Sequence, residues 1–282
     1  MEFSDCLEQI VRSARSGQLS FWIGAGFSWE PPASRPLANE LKFHILHGIC
    51  SDPTLHDFYR KRLQESDIGN KIGSYPLEAF IQIIEENHSI ANSIARVFCG
   101  GSPSRNHLLV AQMIKQRIVS EVLTTNFDLL IERALKSVGW NIGTDYRVYS
   151  TERSFRSLNS DLVLPSIFKI HGTADDVESM RITLSQVASS ALSENRARVL
   201  EHFLASRNGD VLIVGYSAKD DFDINPVLSR IRGKKRILYV SHRPGKQEID
   251  ELPPAFHDFD GYSISCDTGV VVDHLWGALF DE

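Results

Sequence analysis

The strongest constraint on this chain is a repeated form, an apolar run that ends on a polar tip. Residues 121–128 read Glu-Val-Leu-Thr-Thr-Asn-Phe-Asp. A strand closes near Thr124, and Thr125, Asn126 and Asp128 then open a helical pattern of Leu129, Leu130, Ala134 and Leu135. Phe21-Trp22-Ile23 leads into Gly24-Ala25-Gly26-Phe27-Ser28, and Ile167-Phe168-Lys169-Ile170 leads into His171-Gly172. Open α/β sheets bind ligands at the carboxyl ends of their strands. The three tips would bring to one such place a glycine turn, an Asn/Asp pair and one imidazole.

Hydrophobic spacing extends the pattern along the chain. Leu7, Ile10, Val11 and Ala14 predict a helix over 5–16, and Leu19 to Ile23 a buried strand. Three prolines in 29–36 exclude a helix there. From about Leu37 to Ile118 the spacing is helical, carried by Leu41, Ile45, Leu46, Leu77, Phe80, Ile81, Ile84, Ile94, Val97 and Phe98. Polar breaks fall at Ser51-Asp52-Pro53, Gly69 to Ser74 and Gly100 to Pro103. Beyond 118, strand candidates at 118–124, 145–149, 163–170, 211–215, 236–240 and 261–265 alternate with helix candidates at 127–138, 194–206, 223–231 and 268–280. Such alternation builds a parallel sheet with helical crossovers. The expected fold class is α/β: a Rossmann-like doubly wound parallel sheet in one domain over 1–282, with a helical insertion module at about 37–118.

Charge narrows the partners. With 36 acidic against 30 basic residues, a net of −6 and no long basic run, direct nucleic-acid binding is not expected. Lys234-Lys235-Arg236 reads as a solvated loop before a strand. Cys6, Cys50, Cys99 and Cys266 are too dispersed for a C-x-x-C ligand pair, so no metal is expected, and scattered thiols suit a reducing cytosol. The first residues lack a basic, apolar leader, and no stretch reaches about 18 apolar residues. The expectation is a cytoplasmic protein with no membrane attachment.

Each tip has two readings from the residues alone. Gly24 and Gly26 let backbone amides approach a pyrophosphate, or simply shape a turn; Trp29 stands where the dinucleotide fingerprint has its third glycine. Asn126 and Asp128 could cap the helix that follows or point into a cleft. His171 is either a satisfied structural group or an acid–base residue, since imidazole titrates near neutral pH. Gly215-Tyr216-Ser217, after Val211-Leu212-Ile213-Val214, is a strand-to-helix turn in which Asp221 or Asp223 could cap the helix.

Taken in order, Gly24-Ala25-Gly26-Phe27-Ser28, Thr125-Asn126-Phe127-Asp128, His171-Gly172 and Gly215-Tyr216-Ser217 resemble the blocks of the sirtuin family, over about 19 to 275. The resemblance implies an NAD-binding fold. It assigns Gly24, Ala25, Gly26 and Ser28 to the dinucleotide phosphates and their pocket. It places Asn126 at the nicotinamide ribose, with Thr125 and Asp128 beside it, and gives His171 a catalytic role. Gly215, Tyr216 and Ser217 fall on the adenosine-phosphate side and Asp267 beside the adenine. Glu30-Pro31-Pro32-Ala33-Ser34-Arg35-Pro36 loosely resembles the loop covering nicotinamide, where Arg35 would face a phosphate or ribose.

Deacylating sirtuins carry a four-cysteine zinc ribbon between the last two blocks, and residues 172–211 here contain no cysteine. The chain is more similar to the sirtuin-like NAD hydrolases of bacterial antiviral defence. That resemblance implies an NAD glycohydrolase releasing nicotinamide and ADP-ribose, acting in anti-phage defence by NAD depletion. It also implies a homo-oligomer working with a partner ATPase, a sensor protein or a longer parent chain. The alternatives are a protein deacylase without the ribbon and a non-catalytic NAD or ADP-ribose-binding module. Purified protein is expected to carry no stoichiometric zinc, which metal analysis checks; one zinc per chain would revive the deacylase.

Overall fold

The computed structural model describes residues 2–49, 53, 54, 57, 76–86, 89–158, 163–188, 192–205, 209–231 and 235–281. Its centre is one sheet of eight strands: β1 (Leu19–Ile23), β2 (Val119–Thr124), β3 (Arg147–Tyr149), β4 (Ser166–Lys169), β5 (Asp210–Val214), β6 (Arg236–His242), β7 (Gln247–Asp250) and β8 (Gly261–Cys266). Their order is β3-β4-β2-β1-β5-β6-β8-β7, and all neighbours are parallel except β7 with β8. The first four strands occupy one side with β1 innermost, and β5 starts the other side. This reversal beside β1 leaves a crevice at the carboxyl ends.

The described helices are α1 (Phe3–Arg15), α2 (Ala38–Ile49), α3 (Leu77–Glu85), α4 (Ala91–Cys99), α5 (Arg105–Lys115), α6 (Leu130–Ser137), α7 (Glu152–Arg156), α8 (Leu184–Ala188), α9 (Glu194–Ala205), α10 (Ile224–Leu228) and α11 (Thr268–Phe280). Successive strand residues point to opposite faces. Phe21, Ile23, Val122, Leu212, Val214, Leu238 and Val240 therefore enter one core with α1, α5, α6 and α11. Trp22, Leu123, Val211, Ile213, Ile237 and Tyr239 enter a second core with α9 and α10. A third cluster joins Leu41, Ile81, Ile94 and Phe98 of α2, α3 and α4 to Ala174, Met180 and Ile182, which follow β4. The helical stretch thus divides: α2, α3 and α4 form this small module, whereas α5 packs on the sheet. The expected breaks at Ser51-Asp52-Pro53 and Gly69 to Ser74 fall largely outside the described residues.

Two expectations are corrected. The helix expected over 127–138 begins at Leu130, and residues 125–129 are loop. Phe127 and Asp128 have their carbonyls satisfied elsewhere: Ala174 donates its backbone N–H to Phe127 at 2.9 Å, and the buried Lys169 ammonium donates to both. The second concerns Lys235, which is not solvated; Arg236 stays exposed, and Lys234 lies outside the described residues. Lys235 is 4% exposed, and its ammonium donates to Ser20 Oγ at 3.0 Å and Glu121 Oε2 at 2.9 Å. Arg236 forks onto Asp210 at 2.8 and 2.9 Å. These two residues tie the start of β6 to β5 and, across it, to β1 and β2. The strand β7 has no counterpart among the expected elements.

Removing one partner of a buried ion pair leaves the other charge uncompensated, which costs about 3–5 kcal/mol. Glu121→Ala would leave Lys235 with Ser20 Oγ and the Phe203 ring, 5.0 Å from its ammonium. A loss of about 3 kcal/mol in urea unfolding is expected; a loss under about 1 kcal/mol would mean that the pair behaves as a surface one.

Candidate active site

The loops after β1, β2, β4 and β5 and the end of β6 meet in one cavity of about 1080 Å³. Ligand pockets run to roughly 300–1,000 Å³, so a dinucleotide fits. Ala25, Gly26, Ser28, Thr125, Asn126, Asp128, His171, Gly215, Tyr216 and Ser217 line it, and Gly24 lies just behind, bonded to Asn126.

Its floor is a closed hydrogen-bond network. Asn126 Nδ2 donates to Gly24 O at 3.1 Å and to Ser28 Oγ at 3.2 Å. Ser28 Oγ gives its proton to Asp128 Oδ2 at 2.9 Å. It also lies 3.0 Å from His107 Nε2. His107 Nδ1 accepts the Ser104 backbone N–H at 3.1 Å, so Nε2 carries the proton and donates to Ser28. The serine hydroxyl is saturated, with one donor and two acceptor sites used. Both amide hydrogens of Asn126 are committed, and among the described residues its buried Oδ1 has no partner. A buried acceptor without a partner at this place suits an ordered water or a ribose hydroxyl. Burial, only partly offset by the Asp128 charge, pushes His107 down to about 4, so it is neutral in the working range.

Capping and cleft roles therefore fall on different residues. Asp128 Oδ1 accepts from Leu130 N at 3.0 Å at the start of α6, while Oδ2 holds Ser28. Asn126 caps nothing. His107 was not a sequence candidate, although a signal existed: Ser104 and His107 form a capping box at the start of α5, with the imidazole where a Glu or Gln is usual.

The opposite wall is His171, at the tip of β4. Gly172 has φ +92°, and a Cβ there would collide with the Ser179 carbonyl, so the chain turns away at once. His171 Nε2 lies 3.1 Å from Asp223 Oδ2, both side chains being buried. Burial opposes the charged ring, but Asp223, with Asp220 and Glu78, outweighs it and holds His171 at about 9. Burial pushes Asp220 up to about 6.

The glycines serve each other. Gly24 N donates to Val214 O at 3.0 Å and Gly26 N to Gly215 O at 2.8 Å. A Cβ on Gly24 would lie 2.5 Å from Gly215 O. Close approach of two turns, rather than of a backbone to phosphate, explains why these are glycines. Tyr216 stacks on Trp22 with ring centroids 4.9 Å apart, beneath the cavity, and Ser217 is exposed on its wall. Arg35 also borders the cavity, but its guanidinium is engaged by the carbonyls of Ala33 and Val97, so it fastens the loop to α4. Asp267 caps α11 through Gly269 N at 2.8 Å, and the nearby wall is His242 and Thr268.

Glu30, His242 and Asp267 bring their ligand atoms within 4.8 Å of one another. His242 Nδ1 accepts the Thr268 backbone N–H at 3.2 Å and lies 3.1 Å from Thr268 Oγ1, an arrangement that puts the ring proton on Nε2. That hydrogen bond would have to break before the ring could ligate a metal.

Residues 120–249 match the family model described as SIR2-like domain. That segment holds Asn126, Asp128, His171, Gly215 to Ser217 and Asp223. No curated protein matches the chain. A solved structure described as "Structural Basis for the Mechanism and Regulation of Sir2 Enzymes" is similar over 99% of this chain and 98% of that one, with a TM-score of 0.52 and 13% identity. The chain is an α/β protein with the Sir2-like Rossmann fold.

The two histidines give stability opposite pH dependences. His107 has an ordinary value of 6.5 lowered to about 4, so the unfolded chain takes the proton first and stability falls as pH drops from 6.5 to 4. His171 is raised from 6.5 to about 9, so its contribution is complete below 6.5 and is lost as pH rises to 9. Relative to wild type, His107→Gln should flatten the acid limb and His171→Gln the alkaline limb. Urea unfolding at about pH 5, 6.5 and 8.5 checks this, and parallel limbs in wild type and variant would contradict the assignment.

Proposed function

We propose that the protein is an NAD glycohydrolase, cleaving the nicotinamide–ribose bond to give nicotinamide and ADP-ribose. The observation that carries this reading is Asn126 Oδ1, buried beside the cavity with its amide fixed and its acceptor oxygen unpartnered among the described residues. The bond electrons leave with nicotinamide and neutralise the pyridinium, so the departing group needs no proton. Charge develops instead on the ribose, where Asn126 Oδ1 orients a hydroxyl or the attacking water. The water oxygen bonds to the anomeric carbon, and its proton passes to His171 when the ring is neutral, otherwise to solvent. NAD is substrate here, with no second cofactor in the reading.

Hydrolysis is preferred over deacylation because the segment after His171, described as Val177–Ser179, α8 and α9, is helical and free of cysteine. Action as an antiviral effector, by NAD depletion in a homo-oligomer with a partner ATPase or sensor, rests on the resemblance to defence NAD hydrolases. No described helix is long and apolar enough to cross a membrane.

Incubation with NAD should release nicotinamide and ADP-ribose in equal amounts without any acylated peptide. Asn126→Ala should lower kcat by roughly 10²-fold or more while changing KM little, since the amide acts where charge develops. Turnover that requires an acylated peptide would establish the deacylase, and binding without nicotinamide release the regulatory module.

A further inference from the structure

His171 is fixed by its backbone before its side chain is considered. Arg181 N donates to its carbonyl at 2.8 Å, and Gly172 N donates to Lys169 O at 3.0 Å. The ring leans on Phe127, with centroids 6.4 Å apart. One freedom remains, which ring nitrogen meets the cavity. Nε2 is taken by Asp223 Oδ2 at 3.1 Å, and Nδ1 has no hydrogen bond among the described residues.

Asp223 is itself anchored. Its Oδ1 accepts from Ile224 N at 2.7 Å, and α10 buries Ile224 and Leu228 completely in the second core. One carboxylate oxygen thus serves the helix and the other the imidazole. Other charged groups bear on the pair. Asp220 of the same loop and Glu78 of α3 face His171, and Arg196 of α9 faces Asp223. Arg196 is committed to Glu152 at 2.8 Å and to the carbonyls of Ile170 and Ser179. The Tyr216 hydroxyl lies beside Asp220.

We propose that Asp223 is the positioning residue of His171: it binds Nε2–H so that Nδ1 is the nitrogen offered to substrate, and its charge offsets the proton the ring accepts. The kinetic part rests on the NAD-cleavage reading; the ring's orientation and titration do not. In the free protein the carboxylates keep the ring charged up to about pH 9. A ring that accepts a proton must first be neutral, so kcat/KM should rise with pH toward that value.

The test uses the full chain with labelled histidine, followed by NMR titration, the His171 signal being assigned by its loss in His171→Ala. Asp223→Asn keeps shape and removes charge. Asp223→Ser keeps a cap for α10 but cannot reach the imidazole. In folded samples of either variant, the His171 titration should move at least one pH unit lower, and the alkaline rise of kcat/KM should move with it. Maximal kcat should fall roughly 10²-fold, the scale of an acid–base contribution, with KM changed less than about threefold. An unmoved His171 titration in both variants overturns the pairing, whether or not the protein cleaves NAD. A moved titration with kcat within twofold of wild type overturns the positioning role. A wild type that titrates as expected yet releases no nicotinamide refutes the NAD-cleavage reading and leaves the pairing standing.

Discussion

The site depends on how closely two turns approach. The turn after β1 and the turn after β5 share backbone hydrogen bonds from Gly24 to Val214 and from Gly26 to Gly215, and side chains at these positions would collide. That contact sets where the next residues fall. Ser28 arrives buried beside Asn126 and Asp128 because the short helical turn Ala25–Ser28 starts from this fixed point. Gly24 O, which already accepts the Phe27 backbone N–H, also takes one hydrogen of the Asn126 amide. The glycine turn thus orients the Asn126 amide through its backbone.

Around that frame, the cavity sets two buried histidines against each other. His107 lies under the floor, where burial dominates and the ring stays neutral. Its neutrality matters because a second proton, on Nδ1, would collide with the Ser104 N–H and open the network that aims Asn126. His171 is as deeply placed, but faces Asp223, Asp220 and Glu78, and its proton is held. The difference comes from neighbours rather than depth: carboxylates can reverse the effect of burial on an imidazole. One histidine keeps a shape and the other handles charge.

The strand tips were legible because they are local. An apolar run followed by Asn-x-Asp or His-Gly is written in consecutive residues, and the sheet assembles those tips at one edge. The partners that give the tips their chemistry are far away in sequence. Asp223 lies 52 residues from His171, and His107 lies 79 from Ser28. No periodicity links them. Lys169 was visible only as a strand residue, yet its ammonium replaces the first helical turn expected at 127 by holding the Phe127 and Asp128 carbonyls. The Lys235 and Arg236 cluster shows the opposite failure. Charge suggested solvent, which holds for the exposed Arg236, but Lys235 is buried against Glu121 of β2.

The helical module is joined to the site by the same residues that shape it. Phe98 of α4 packs against Phe127 at 5.6 Å between centroids, and Phe127 packs in turn against His171. Arg133 of α6 holds the carbonyls of Cys99 and Gly101 at the end of α4, and Arg35 holds Val97 from the other side. Phe127 therefore lies between the third hydrophobic cluster and the imidazole, in a loop whose backbone Lys169 and Ala174 fix. Two arginines and two ring contacts therefore join the end of α4 to the loop that carries Phe127 and, through Phe127, to the His171 ring.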